Sequence, residues 1–287
     1  MPFTNILFPV DFSDRCRAMA PQVKSMCERF NASLTVLHLV EVPVQAFSSV
    51  EAPILFQFPM DQLKRKEEQQ LEKFSAASFP GIAVTKVVDE GDTASCIAEL
   101  ARVWGIDLIM LPTRGQGRFR SALLGSVTAK ILHDATCAVW TEAHCESARP
   151  ARADWRSVIC ALDTVPEGLR LIHFAAGLAA APGVDVRLVH AVPRAEAGLE
   201  KYFDREFGAF LRDRANESIA GMQKEAGTAF EVCIGGGSIV DVVRQAAVSH
   251  KADLVLIGRG ALPHFAGRLR SHAYAIIRDM PCPVISI

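Results

Sequence analysis

The chain has 287 residues, half of which are hydrophobic, and its formal net charge at pH 7 is −1. This length suits two domains of ordinary size, and a near-neutral charge argues against a general nucleic-acid binder. The first eleven residues lack the basic and apolar regions of a signal peptide, and no apolar run approaches the ~20 residues that cross a bilayer. We therefore expect a cytoplasmic protein with neither a nucleic-acid nor a membrane partner.

The eight cysteines do not suggest a metal or redox site. None of them forms a C-x-x-C pair, which argues against a zinc or thioredoxin-type centre. Most lie inside apolar runs, as is typical of reduced core thiols in a cytosolic protein. Cys145 lies in a polar stretch, where we expect an exposed side chain.

Strand-like and helix-like patterns alternate along the first half of the chain. Helical spacing of apolar residues follows Ser13, a candidate N-cap, and returns over Asp61–Phe74 and after residues 90–93. This alternation predicts a parallel sheet that is covered by helices on both faces. The predicted strands are Asn5–Val10, Ser33–Val40, Ile82–Val88, Asp107–Leu111 and Ala138–Thr141.

The same order of elements begins again after a polar stretch, which indicates an internal repeat. We predict domain one at residues 1–143, a linker at 144–154 and domain two at 155–287. The order of the matching positions is kept, and the spacing drifts only from 152 to 145 residues. The matched pairs are Asp11 with Asp163, His38 with His190, Gly91 with Gly237, Ser126 with Ser271, and Cys137 with Cys282.

The loop after the fourth strand is the strongest candidate for a ligand site. It carries glycines and three arginines (Arg114, Arg118 and Arg120), and Gly125-Ser126 then precedes a helical pattern. The free N–H groups at a helix start favour an anion, and a serine there can cap the helix or bind a phosphate oxygen. A tight turn with an ordinary N-cap, and a solvated arginine face, are the alternatives.

Two further segments converge on this loop in a parallel sheet. Asp11 stands at the end of the first strand, and Leu39 at the end of the second. In open parallel sheets, ligands bind beyond the carboxyl ends of the strands where the strand order reverses. The sequence therefore places Asp11, Leu39 and the loop at one crevice.

These motifs resemble those of the universal stress proteins over essentially the full length. The resemblance is carried by I-L-F-P-V-D-F-S-D at 6–14, L-H-L-V-E at 37–41 and L-L-G-S-V-T-A-K-I-L at 123–132. The family's nucleotide-binding members carry Gly, two residues, Gly, nine residues, then Gly-Ser or Gly-Thr. Here Gly115, nine residues and Gly125-Ser126 fit that spacing, whereas the first glycine of the pattern falls on Pro112.

The resemblance implies an α/β fold of two tandem Rossmann-like domains, each with a five-stranded parallel sheet in the order 3-2-1-4-5. ATP, with or without Mg²⁺, would lie across the carboxyl edge of the domain-one sheet. Asp11 would contact the adenine side, which Val10 and Leu39 would line. The residues that would hold the phosphates are Gly115, Gly125, Ser126 and Val127. Pro112 departs from the pattern, because it adds ring bulk and has no N–H to donate.

Domain two departs further from the family pattern. Gly258 and Gly260 are separated by one residue, where the family pattern has two, and Arg270 takes the place of Gly125. This arginine would intrude on the phosphate position or replace the phosphate by its own charge, unless it swings into solvent. We therefore expect a degenerate site that pairs with domain one as a pseudo-dimer, within a chain that forms a homo-oligomer.

Other polar features favour structural roles. His38 and His190 lie inside strands, where one satisfied ring nitrogen is a simpler account than a ligand or base. Residues 235–238 (G-G-G-S) lack the Lys-Ser/Thr of a P-loop, so we expect a turn and an N-cap. His264 and His272 have no evident third partner for a metal.

The leading hypothesis is a stress-response protein that binds ATP in domain one and acts as a regulatory module on an unknown protein partner. We predict that it is not an enzyme, because no credible nucleophile-and-base motif is present. The alternative is an interaction scaffold of the same fold that binds no nucleotide. A slow ATP hydrolase ranks last.

Overall fold

The structure is a computed structural model of the whole chain. It describes residues 3–40, 60–113, 124–143, 154–163, 167–193, 201–259 and 267–287. Several positions singled out in the sequence lie outside the described residues, and they are Arg114, Gly115, Arg118, Arg120, Cys145, Gly260 and His264.

Strands and helices alternate in both halves of the chain. The first half contains β1 (Asn5–Pro9), α1 (Asp14–Phe30), β2 (Ser33–Val40), α2 (Met60–Ser78), β3 (Val84–Glu90), α3 (Thr93–Val103), β4 (Leu108–Pro112), α4 (Ser126–Asp134) and β5 (Ala138–Glu142). The second half contains β6 (Ser157–Ala161), α5 (Glu167–Ala179), β7 (Asp185–Val192), α6 (Lys201–Ala226), β8 (Glu231–Gly236), α7 (Ile239–Ser249), β9 (Leu254–Ile257), α8 (Gly267–Asp279) and β10 (Val284–Ser286).

The strands form one ten-stranded sheet in the order β3-β2-β1-β4-β5-β10-β9-β6-β7-β8. All pairs within each half are parallel, and the two halves join through the antiparallel pair of β5 and β10. Each half therefore has the predicted order 3-2-1-4-5. The predicted parallel sheets are confirmed, and they are continuous with each other.

Several strand bounds differ from the predicted ones by one or two residues, and two of these differences have identifiable reasons. The third strand begins at Val84 instead of Ile82, because the Ile82 N–H closes a turn onto Phe79 O at 3.1 Å. The expectation that Pro112 lies beyond the fourth strand is wrong. Pro112 is the last, buried residue of β4, and the ladder continues through Thr113, whose N–H donates to Glu142 O at 3.3 Å. A proline is tolerated at a strand end, where only one ladder donor is missing.

The core has two layers, one on each face of the sheet, because side chains alternate along each strand. Ile6 and Phe8 face the layer formed with α1, α2, α5 and α6. Leu7, between them, faces the layer formed with α3, α4, α7 and α8. Helices thus cover both faces, as predicted.

The two halves dock through paired and stacked residues. Trp140 of β5 stands opposite Ile285 of β10, and the Trp140 and Trp155 rings stack with centroids 5.8 Å apart. Buried hydroxyls bond across the junction, with Thr141 Oγ1 donating to Val284 O at 3.3 Å and Ser286 Oγ donating to Val139 O at 3.4 Å. The edges of β5 and β10 are therefore hydrogen-bonded to each other within the chain.

Candidate functional site

The strand order of domain one reverses between β1 and β4. The ladder between these two strands is short, pairing only Ile6 with Leu108 and Leu7 with Ile109. Beyond it the chain leaves β1 through Val10 and Asp11. Since ligands of open parallel sheets bind at such a reversal, this edge is the candidate site.

Asp11 is fixed at this edge by the start of α1. Its Oδ1 accepts bonds from the Ser13 N–H at 3.0 Å and from the Cys16 thiol at 3.1 Å. Ser13 caps α1, as predicted, because its Oγ accepts from the Cys16 N–H at 3.3 Å. Burial, and then the Asp11 charge, raise the pKa of the Cys16 thiol to about 12. Cys16 is therefore an inert thiol that orients a carboxylate.

Val10 and Leu39 lie at the same edge but belong to the core. Val10 is 5% exposed and packs in the layer of α1 and α2, whereas Leu39 is 9% exposed and packs in the layer of α3 and α4. The two side chains therefore lie on opposite faces of the sheet. A base at this edge would meet mainly the ends of these strands.

His38 secures the end of β1. Its Nδ1 lies 2.8 Å from Val10 O, so Nδ1 carries the proton and donates it, since a carbonyl can only accept. Its Nε2 lies 3.7 Å from Glu67 Oε2, and its ring lies 4.5 Å from that of Phe12. His190 Nδ1 makes the equivalent bond to Leu162 O at 2.9 Å. Both histidines are therefore strand-end residues with one satisfied ring nitrogen, as predicted.

The first turn of α4 is the candidate phosphate site. Gly125 is the N-cap residue, α4 begins at Ser126, and no side chain caps it. The first intrahelical bond runs from the Ala129 N–H to Gly125 O at 2.9 Å. The N–H groups of Ser126, Val127 and Thr128 thus have no intrahelical acceptor.

The structure gives Gly125 and Ser126 roles that differ in part from those expected from the sequence. The Gly125 N–H donates to Thr113 O at 2.9 Å, so it is used within the protein. Gly125 can therefore offer a phosphate close approach but not its amide. Ser126 does not cap α4, because it is the first helical residue, and its side chain is exposed. Val127 is half-buried against the core layer of α3 and α4.

A lysine beside this turn was missed by the sequence analysis. Lys130 Nζ donates to Asp92 Oδ1 and to Ser95 Oγ, both at 2.7 Å. Asp92 is also the N-cap of α3, because its Oδ1 accepts from the Ser95 N–H at 3.0 Å. The spacing of four residues between Ser126 and Lys130 was the available signal, since it puts both on one face of a helix.

In domain two the corresponding helix begins earlier relative to the matched serine. α8 begins at Gly267, so Ser271 is its fifth residue, and Arg270 also lies within the helix. The fifth N–H of an α-helix bonds to the first carbonyl, so the Ser271 amide is used by the helix. The two helices therefore start at different points of the repeat, α4 at Ser126 and α8 four residues before Ser271. The degenerate interpretation of domain two stays a prediction.

Arg259, which follows β9, is held at the domain junction. Its N–H donates to Ile287 O at 2.9 Å, and its Nη2 donates to Cys137 O of domain one. Burial lowers the pKa of its guanidinium to about 10. This residue stabilises the docking of the two halves.

The glycine run at 235–238 is structural, as predicted. Gly235 and Gly236 end β8, and Ser238 is the N-cap residue of α7. Gly237 has φ 135° and its counterpart Gly91 has φ 137°, so both turns need glycine.

Within the ranges that the structure describes, no group of three or more His, Cys, Asp or Glu side chains could hold a metal ion. No helix in that part of the chain is both long and apolar enough to span a bilayer.

The chain is similar to known proteins in both of its halves. The model of the universal stress protein family matches residues 2–141 and 154–287. Universal stress protein MJ0531 of Methanocaldococcus jannaschii is 27% identical over 138 residues, which cover 48% of this chain and 80% of that protein. A universal stress protein of Thermus aquaticus is 29% identical over 137 residues, which cover 48% of this chain and 96% of that protein.

A solved structure covers both halves together. The crystal structure of a universal stress protein from Archaeoglobus fulgidus superposes with a TM-score of 0.68 at 21% identity. The match covers 98% of this chain and 97% of that one, which shows that the two folds are alike.

Proposed function

Because the chain belongs to the universal stress protein family, we propose that it binds an adenine nucleotide, ATP, at the carboxyl edge of domain one. The observation that carries this proposal is the first turn of α4, which has no side-chain cap and whose first N–H groups have no intrahelical acceptor, beside the reversal of strand order. In domain two the helix begins at Gly267, four residues before Ser271, so its first turn does not coincide with the position that matches Ser126.

The proposed pose follows from what each residue offers. The N–H groups of Ser126 and Val127 would bind the phosphates at the positive end of the α4 dipole. Gly125 would let the phosphates approach the backbone, and Asp11 would face the adenine side between Val10 and Leu39. Mg²⁺ would accompany the phosphates, taking most of its ligands from phosphate and water oxygens.

The proposed role is that of a cytoplasmic regulatory module in the stress response. ATP would favour whichever conformation binds it better, and this shift would change the affinity for a protein partner. We assign no catalytic residue, and we propose that binding alone is the output.

The alternative is an interaction scaffold without a nucleotide. The specific observation in its favour is Pro112, which is buried at the end of β4 beside the proposed site. Its ring occupies space where the family pattern has glycine, and its nitrogen cannot donate to a ribose.

The test is calorimetric titration with ATP and Mg²⁺, preceded by mass spectrometry of the small molecules that denaturation releases. We expect ATP binding by the wild-type protein and its loss in Gly125→Arg, which copies Arg270 into domain one. Gly125 has φ −62°, so an arginine can adopt its backbone conformation.

Gly177→Arg is the matched control, because Gly177 is exposed on α5 and a Cβ there would meet nothing within 4 Å. Unchanged affinity in Gly125→Arg would place the phosphate site elsewhere. No heat of binding in the wild-type protein would favour the scaffold.

A further inference from the structure

Lys130 lies one turn after the start of α4. It follows Ser126 by four residues, so both lie on one face, and helical side chains lean toward the helix N-terminus. Its side chain therefore leans toward the first turn, where the N–H groups of Ser126 and Val127 have no intrahelical acceptor, and its ammonium bonds to Asp92 and Ser95 at the start of α3.

The Lys130 ammonium is held in place by two hydrogen bonds and keeps a third N–H donor. An ammonium has three N–H donors, and the bonds to Asp92 and Ser95 take two of them. The Lys130 side chain is 46% exposed, so the remaining donor can reach solvent or a ligand. The hydrogen bond from Lys130 holds the pKa of the Asp92 carboxyl well below its usual range.

The sequence of domain two does not repeat this set of three side chains. The positions that match Asp92, Ser95 and Lys130 in domain two are Ser238, Asp241 and Ala275. The Ser238 side chain makes no capping bond to α7. The lysine therefore accompanies the helix that begins at the proposed phosphate position and is replaced by alanine in the other.

We propose that Lys130 is a specificity-determining residue that binds the terminal phosphates and selects nucleotides with a phosphate chain over adenosine. This inference rests on the proposed function. Asp92 holds the ammonium beside the site before the ligand arrives, and the phosphate chain competes with this single carboxylate for it. A polyphosphate carries more negative charge than one carboxylate, so it gains more from the lysine than AMP or adenosine does.

The experiment compares the affinities of ATP, AMP and adenosine, measured by calorimetry at fixed ionic strength. Lys130→Met keeps the apolar stem and removes the charge. We expect it to weaken ATP binding about 10- to 100-fold, the usual effect of one hydrogen bond to a charged group, and to leave adenosine within about twofold. Asp92→Asn, which retains a good N-cap residue, is expected to tighten ATP binding.

Lys24→Met is the matched control, because Lys24 lies on α1 and its ion pair among the described residues is with Glu28 of the same helix, at 2.6 Å. Equal losses for ATP and adenosine in Lys130→Met would show a merely structural role and overturn the proposal. Unchanged ATP affinity would also overturn it. Failure of the proposed function is distinguishable, because the wild-type protein itself would then show no ATP binding.

Discussion

The clearest stability prediction concerns Gly91 and Gly237, which occupy matching turns in the two halves. Their φ angles are 137° and 135°, so an alanine at either position meets the same backbone strain, about 1–3 kcal/mol. Their surroundings differ. A Cβ on Gly91 would lie 2.7 Å from Cys96 Sγ, whereas a Cβ on Gly237 would meet nothing within 4 Å.

We expect Gly91→Ala to lower the free energy of unfolding by about 1–3 kcal/mol more than Gly237→Ala does, which is the usual cost of overpacking. The measurement is urea unfolding of both variants and the wild-type protein, followed by circular dichroism. Gly237→Ala is the control, because it carries the strain without the overlap.

A second background tests the cause. In Cys96→Ala the overlapping sulfur is gone, so adding Gly91→Ala should cost about as much as Gly237→Ala costs in the wild-type protein. Equal losses for Gly91→Ala and Gly237→Ala in the wild-type background would refute the reasoning. So would a Gly91→Ala loss that Cys96→Ala leaves unchanged.

Three other predictions follow from capping and titration. Ser13→Ala should lower the free energy of unfolding by about 1 kcal/mol, because it removes the cap of α1; Ser238→Ala, at a cap without a side-chain bond, should change it by less, and equal losses would contradict this. Because Lys130 lowers the Asp92 pKa in the folded state, the stability from this pair is present above the ordinary Asp pKa of 3.8 and is lost as the pH falls; Asp92→Asn should flatten that part of an acid-unfolding curve. Burial raises the pKa of Cys16 and of Cys27 to about 12, so both thiols should resist a thiol reagent at pH 8 until urea unfolds the chain, and rapid labelling in the folded state would contradict this.

The sequence predicted the fold well because its signals are local and repeated. Buried runs such as Leu108–Met110 are typical of strands in a sheet covered on both faces, and the second half returns them in order. Even the contacts repeat, since Asp107 Oδ2 accepts from the Asn5 N–H at 3.1 Å and Asp253 Oδ2 accepts from the Ser157 N–H at 3.0 Å. The continuous sheet depends on the pairing of β5 with β10, which no local pattern specifies.

The site was predicted less completely because its details depend on distant contacts. The bond from Gly125 to Thr113 O removes an amide that the motif alone would offer. The start of α8 at Gly267 could not be read from the match of Ser271 with Ser126. The bond from Lys130 to Asp92 joins residues 38 positions apart. Gly115 lies outside the described residues, and its role stays a prediction.

The most direct test of the central claim is amide NMR of the ¹⁵N-labelled protein during titration with ATP and Mg²⁺. The Ser126 and Val127 N–H groups should show large, saturable shifts, because they would bind the phosphates, while the Ser271 N–H should stay unchanged because α8 already uses it. Saturable shifts at Ser271 without any at Ser126 and Val127 would contradict the account, and so would the absence of shifts throughout the spectrum.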